Sequence, residues 1–297
     1  MSVARELVAL ESFTASPFPL RHGRSADGGK FFDVSDGERR GRTTRHGEVF
    51  WENPTYSDRR VLLAVPAQFD TTRAATLVVF LHGNRARLER DVLRRQQLVR
   101  QVSEANINAL LVAPQFALDA PDSSAGRFAL RGVFGAFLDE AAHRLARLCA
   151  AREDALPTPD LYQRAAVVIV AYSGGYSPAA AALSVGRANR RIRAVVLLDA
   201  LYDHEELFAA WFARRRHQAA LISAYTHSTR RCNLRLRKLL AQAQIRTTLG
   251  LKTLLEPGAV CLVPLAGTVD HADVVTRAWT IDPIADVLRR IGPASRP

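Results

Sequence analysis

Short runs of five or six consecutive apolar residues recur along this chain, and stretches with apolar positions three and four apart separate them. Thr76 to Leu81 (TLVVFL), Ala109 to Ala113, Ala166 to Ala171 (AVVIVA), Ala194 to Leu198, Ala220 to Ala224 and Val260 to Pro264 show no polar alternation. Runs of this length, apolar on both faces, predict strands of a parallel sheet covered on both sides. The segments between them have helical periodicity. Leu88, Val92, Val99 and Val102 share one face of a helix predicted over Arg87 to Glu104, with arginines on the other. Further helices are predicted over Phe134 to Cys149, Pro178 to Arg187, His204 to Phe212, Leu234 to Ala243, and Ala272 to Ile291 with a break near Pro283. Val49 to Glu52 and Arg60 to Val65 predict short early strands, antiparallel to the rest. The expected fold class is α/β, a mostly parallel central sheet of about eight strands flanked by helices. The chain reads as a single domain over residues 1–297. Residues 1–47 form a loop-rich extension with edge strands, and 115–132 is a candidate lid or substrate-binding loop.

In an open parallel sheet the ligand site lies at the carboxyl ends of the strands. The strongest strand end here is Ala171-Tyr172-Ser173-Gly174-Gly175. It fits small-x-Ser-x-small between a β run and a helix, where a serine nucleophile sits on a tight turn above the sheet. His82-Gly83-Asn84 ends an earlier strand, and its glycine permits close backbone approach. The backbone amides of Asn84 and Gly174 could then hold the oxyanion formed when an ester or amide carbonyl is attacked. The His82 imidazole is expected to shape its turn and take no part in chemistry. Tyr172 and Arg85, adjoining these positions, are candidate substrate contacts. Of the eight histidines, His271 follows the last strand on a turn and is placed to act as base toward Ser173. His227 is its rival, because it also follows a strand. His22, His46, His143, His204 and His217 are less well placed. A carboxylate must orient the histidine. Asp199 ends its strand and is the leading candidate, with Asp203 second. Asp270 and Asp273 are too near His271 in sequence to orient it easily.

These residues together resemble the α/β-hydrolase superfamily, over about Arg60 to Ile291. The resemblance rests on His82-Gly83, Ala171-Tyr172-Ser173-Gly174-Gly175, Asp199 and His271, in the order Ser, Asp, His. It implies Ser173 as nucleophile, His271 as general base and acid, and Asp199 as its orienting partner. Two departures stand out. The acid in this family more often follows the next strand, where this chain has Tyr225-Thr226-His227. Pro178 also falls just inside the helix after the serine, comfortable only if that helix starts near Ser177.

Composition narrows the alternatives. The chain has 297 residues, 48% of them hydrophobic and 24% charged, the balance of an ordinary globular protein. Three cysteines, far apart and without a C-x-x-C, support neither a disulfide framework nor a structural zinc site. No glycine-rich nucleotide motif and no H-E-x-x-H is present, so neither cofactor nor metal is implied. No apolar run is long enough to span a membrane, and Met1 to Glu11 does not read as a secretory signal, so the expected location is cytoplasmic. The net charge is +12, and only three of the 41 basic residues are lysine. A general preference for arginine accounts for this as well as a binding patch does, and nucleic acid is not expected. Arg39-Arg40-Gly41-Arg42, Arg214 to Arg216, and Arg230-Arg231 with Arg235 and Arg237 are nevertheless clusters that could meet phosphates. The expected function is therefore a serine hydrolase for a small-molecule ester or amide. The alternative is a non-catalytic protein of the same fold that binds a ligand or acidic partner through its arginine-rich surface. That alternative requires Ser173, Asp199 and His271 to stay apart.

Overall fold

The computed structural model describes residues 5–20, 23, 28–44, 46–153 and 158–293. His22 and the first four residues of the expected N-terminal reading lie outside them. Among the described residues, nine strands form the central sheet: β1 (Leu7–Ser12), β5 (Arg60–Val65), β6 (Thr76–Leu81), β7 (Ala109–Pro114), β8 (Ala166–Tyr172), β9 (Ile192–Leu198), β10 (Ala220–Tyr225), β11 (Thr248–Leu249) and β12 (Val260–Pro264). Their order is β1-β5-β7-β6-β8-β9-β10-β12-β11. Only the pairs β1–β5 and β5–β7 are antiparallel. The remaining pairs are parallel.

The uninterrupted apolar runs have a direct cause in packing. Strands β6, β7 and β10 are buried at every position, because helices cover both faces of the sheet. One face packs on the helices Val133–Glu153, Tyr176–Val185, Glu205–Arg215 and Arg230–Gln242, through residues such as Phe134, Leu183, Phe208 and Leu236. The other packs on Leu98–Glu104 and Pro283–Ile291 and on a π-helical stretch, Leu88–Arg95. The α/β class with a mostly parallel central sheet is thus the one expected, with nine strands in place of about eight.

Three local expectations are corrected. The helix predicted over Arg87 to Glu104 is two elements. The Asp91 carboxylate accepts the Arg87 amide at 2.8 Å, the turn widens, and Gln97 adopts a left-handed φ of 51° before the second helix starts. The inward residues Leu88, Val92, Val99 and Val102 are nevertheless all buried. The helix predicted over Ala272 to Ile291 is confined to Pro283–Ile291, which Pro283 opens at its first position after a left-handed Asp282. The early strands are not all edges of the main sheet. β2 (Val34–Asp36), β3 (Arg39–Thr43) and β4 (Val49–Trp51) form a separate antiparallel sheet over a small core of Phe18, Leu20, Phe31, Tyr56, Ala117 and Ala120.

That small sheet also absorbs one of the arginine clusters. The Arg39 guanidinium lies 4.1 Å from the centre of the Trp51 ring, and Arg40 pairs with Glu52 at 2.7 Å. Arg42 stacks on Phe31 at 4.5 Å and reaches Asp122 at 3.1 Å. Ion pairs and cation–π contacts engage these charges within the fold. Elsewhere, Arg60 pairs with both Asp58 and Glu89, and Arg100 with Glu104 and Asp282.

Phe128 is fully buried against Phe116, Phe134 and Phe137, at centroid distances of 5.1–5.8 Å. Phe128→Ala is expected to lower the unfolding free energy by about 3–5 kcal/mol, measured by urea denaturation. A loss below about 1 kcal/mol would contradict this packing.

Candidate active site

Ser173 is the first residue after β8, with a left-handed φ of 51°. A non-glycine residue in this region carries strain that its surroundings must hold, and close packing does so on two sides. A Cβ on Gly83, just after β6, would lie 2.8 Å from the Ser173 Cβ. A Cβ on Gly175 would lie 2.2 Å from the Leu81 carbonyl oxygen. The turn therefore sits directly against the end of β6, and the small residues of the motif are a steric requirement. The chain continues as a short 3-10 turn over Ser173–Gly175 and then the helix Tyr176–Val185. Pro178 is the third residue of that helix, where it disrupts no helical hydrogen bond.

β8 and β9 are neighbours in the sheet, and Asp199 follows β9 directly. Its carboxylate is fully buried and makes four hydrogen bonds. Oδ1 accepts the Thr226 amide at 2.9 Å and the Thr229 hydroxyl at 2.5 Å. Oδ2 accepts the Thr226 hydroxyl at 2.7 Å and His271 Nδ1 at 2.7 Å. Burial alone would raise the Asp199 pKa, but the donors from His271, Thr229 and Thr226 outweigh it and hold the group down at about 2. His271 Nε2 lies 2.9 Å from Ser173 Oγ. The structure thus brings Ser173, His271 and Asp199 into one hydrogen-bonded line.

The other sequence candidates separate clearly. His227 is exposed. Asp203 is exposed, and its carboxylate accepts the His204 amide at 2.6 Å. Tyr172 stacks on His271, with centroids 5.1 Å apart, and donates its hydroxyl to the His271 carbonyl at 3.1 Å. It positions the histidine. Burial raises the Tyr172 pKa to about 12, so its proton stays in that bond. Asn84 reaches the serine turn: a Cβ on Gly174 would lie 2.2 Å from Asn84 Oδ1, and Ser123 Oγ donates to the same oxygen at 3.0 Å. Arg85 is solvent-exposed, 3.8 Å from Glu48, and does not line the adjoining cavity. The His82 ring is buried. Its Nε2 accepts the Phe116 amide at 2.9 Å and Nδ1 donates to the Gly83 carbonyl at 2.8 Å.

The sequence alone assigns no role to Thr226 or Thr229. The signal was present in Tyr225-Thr226-His227-Ser228-Thr229, where a strand end carries hydroxyls and no acid. The structure gives the reason: this strand end holds a carboxylate supplied by the neighbouring strand.

A cavity of about 730 Å³ opens beside the serine turn. Asn84 and Ser123, which also meet Gly174, line it with Tyr176, and the 115–132 segment contributes Pro121 to Gly126 and Ala129. That segment is anchored. Asp122 accepts the Tyr56 hydroxyl at 2.9 Å and pairs with Arg42, and the Arg127 amide donates to the Pro17 carbonyl at 2.7 Å. Among the described residues, no group of three or more His, Cys, Asp or Glu side chains could hold a metal ion, and no helix is long and apolar enough to cross a membrane. Cys149, Cys232 and Cys261 are buried.

No protein-family model and no curated protein sequence matches the chain. Several solved structures are similar to the chain at low identity. An uncharacterised protein from Capnocytophaga ochracea is 12% identical over 95% of this chain and 64% of its own, with a TM-score of 0.48. An S-formylglutathione hydrolase from Agrobacterium tumefaciens is 11% identical over 87% of this chain and 98% of its own, with a TM-score of 0.43. The feruloyl esterase module from Clostridium thermocellum is 9% identical over 94% and 100%, with a TM-score of 0.44. The chain spans 64% of the length of the Capnocytophaga protein and 35% of a longer chain from Bacteroides ovatus.

Burial depresses the His82 pKa from 6.5 to about 4. A histidine whose folded pKa is lowered contributes stability that is fully present above 6.5 and declines as pH falls toward 4. His82→Gln is expected to flatten the fall in Tm between pH 6.5 and 4, read by thermal melts across that range. An unchanged slope would show that His82 is not the group responsible. The sheet order, with the strand-end residues it aligns, gives this chain an α/β-hydrolase fold.

Proposed function

We propose that the chain is a serine hydrolase that cleaves a carboxylic ester or amide through an acyl-enzyme. The observation that carries this reading is the continuous line from Asp199 through His271 to Ser173, at 2.7 and 2.9 Å. The Asp199 carboxylate holds the proton on His271 Nδ1, which leaves the Nε2 lone pair facing Ser173 Oγ. His271 takes the serine proton as Oγ bonds to the carbonyl carbon. The negative charge moves to the carbonyl oxygen, where the Asn84 and Gly174 amides receive it.

Collapse of this intermediate breaks the bond to the leaving group, which takes the proton from His271 Nε2. A water molecule then gives a proton to the same nitrogen and attacks the acyl carbon. The acid departs as Ser173 Oγ recovers its proton. Ester and amide substrates place the same demands on these groups. The non-catalytic alternative finds less support, because it requires the three side chains to lie apart.

Ser173→Ala and His271→Ala are each expected to lower kcat/KM for p-nitrophenyl acetate by at least about 1,000-fold, and the double variant by no more than the worse single one. Asp199→Asn should cost about 1,000- to 10,000-fold, because it permits the wrong histidine tautomer. Steady-state assays on variants shown to be folded by circular dichroism check this. Near wild-type rates in Ser173→Ala would reject the assignment.

A further inference from the structure

The cavity beside the serine turn has two walls of different origin. One is the helix that follows Ser173, which presents Ala180, Ala181 and Ser184. The other comes from the N-terminal segment and its small sheet, through Leu20, Phe31, Arg42, Thr44 and His46. The second wall is tied to the 115–132 segment. Arg42 stacks on Phe31, pairs with Asp122 and donates to the Phe31 carbonyl at 3.1 Å, while the buried Tyr56 hydroxyl donates to the same Asp122. Alanines at the wall keep the space open, and about 730 Å³ is the size of a site for a drug-sized organic group. The charges that reach it, Arg42 and Asp122, neutralise one another.

The position of the cavity decides which half of a substrate it takes. In the tetrahedral intermediate the carbonyl carbon carries four groups: Ser173 Oγ, the oxyanion, the leaving group and the acyl substituent. The leaving group must face His271 Nε2 to receive its proton. His271 packs against Tyr172 and Tyr202 and does not line the cavity, and of these rings Tyr202 approaches it through its contact with Tyr176 at 6.0 Å. The cavity instead begins at Asn84, Ser123 and Tyr176, next to Gly174.

We propose that this cavity is the acyl pocket, that it selects bulky, uncharged acyl groups over acetyl, and that the N-terminal sheet is the specificity wall of the site. The proposal rests on the serine hydrolase reading. A ring or several methylenes buried there would contribute to kcat/KM on the scale of about 10-fold or more.

The test uses two esters with one leaving group, p-nitrophenyl acetate and p-nitrophenyl 4-phenylbutanoate, with the full-length protein. The wild type is expected to prefer the phenylbutanoate by at least about 10-fold in kcat/KM. Ala181→Trp fills the cavity from the helix and should erase that preference. Ser184→Trp does the same from an exposed position where the fold tolerates a large side chain. Loss of the preference in either folded variant supports the assignment. A wild type without the preference, or folded variants that retain it, overturns the acyl pocket while leaving Ser173-dependent hydrolysis intact. If the wild type hydrolyses neither ester, the serine hydrolase reading fails, and the pocket assignment falls with it.

Discussion

Asp199 is a carboxylate with no access to solvent, and burying such a charge without partners would cost several kcal/mol. The region around it is organised to meet that demand. β9 delivers the carboxylate, β10 ends beside it, and the following turn contributes one amide and two hydroxyls. One acceptor site remains, and His271 fills it. The histidine's ring orientation is then set from two directions, by the carboxylate at Nδ1 and by the stacked Tyr172 ring beneath it. The same four bonds that make the burial tolerable keep Asp199 ionised, which the proposed chemistry needs from it.

A second constraint is steric. Ser173 and Asp199 both adopt left-handed backbone conformations, with φ of 51° and 44°. Both are the first residues beyond a buried parallel strand, where the chain must leave the sheet abruptly. Strain of this kind persists only where the surroundings over-determine it. At Ser173 the surroundings are the end of β6: Gly83, just beyond it, faces the Ser173 Cβ, and the Leu81 carbonyl faces Gly175. The sheet therefore does more than carry the site: its register brings His82-Gly83, Ser173 and Asp199 to one edge, and its tight packing sets their backbone geometry.

Much of this was legible in the sequence, because the signals were local. Apolar runs marked the parallel strands, and polar residues at their ends marked where to look. Ser173, His271 and Asp199 were singled out from such positions, and they converge. What was not legible depended on contacts across the fold. β1 was missed because its half-buried alternation is a weaker pattern than a fully buried run. The spacing over Arg87 to Glu104 predicts one continuous helix, because the side-chain bonds of Asp91 that break it leave the apolar positions unchanged. Arg85 was a sequence neighbour of Asn84 and nothing more, and its side chain turns outward to Glu48. Thr226 and Thr229 acquire their role only when β9 and β10 pair. The arginines of the N-terminal sheet engage rings and carboxylates that the sequence does not place beside them.

The central claim is that the hydrogen-bonded line at the carboxyl edge of the sheet makes Ser173 a nucleophile. Reaction with a fluorophosphonate tests it directly, with the modified residue located by mass spectrometry in wild type, Ser173→Ala and His271→Ala. The account predicts a single adduct on Ser173, absent from Ser173→Ala and strongly reduced in His271→Ala. An unlabelled Ser173 in folded wild-type protein, or equal labelling when His271 is removed, would contradict it.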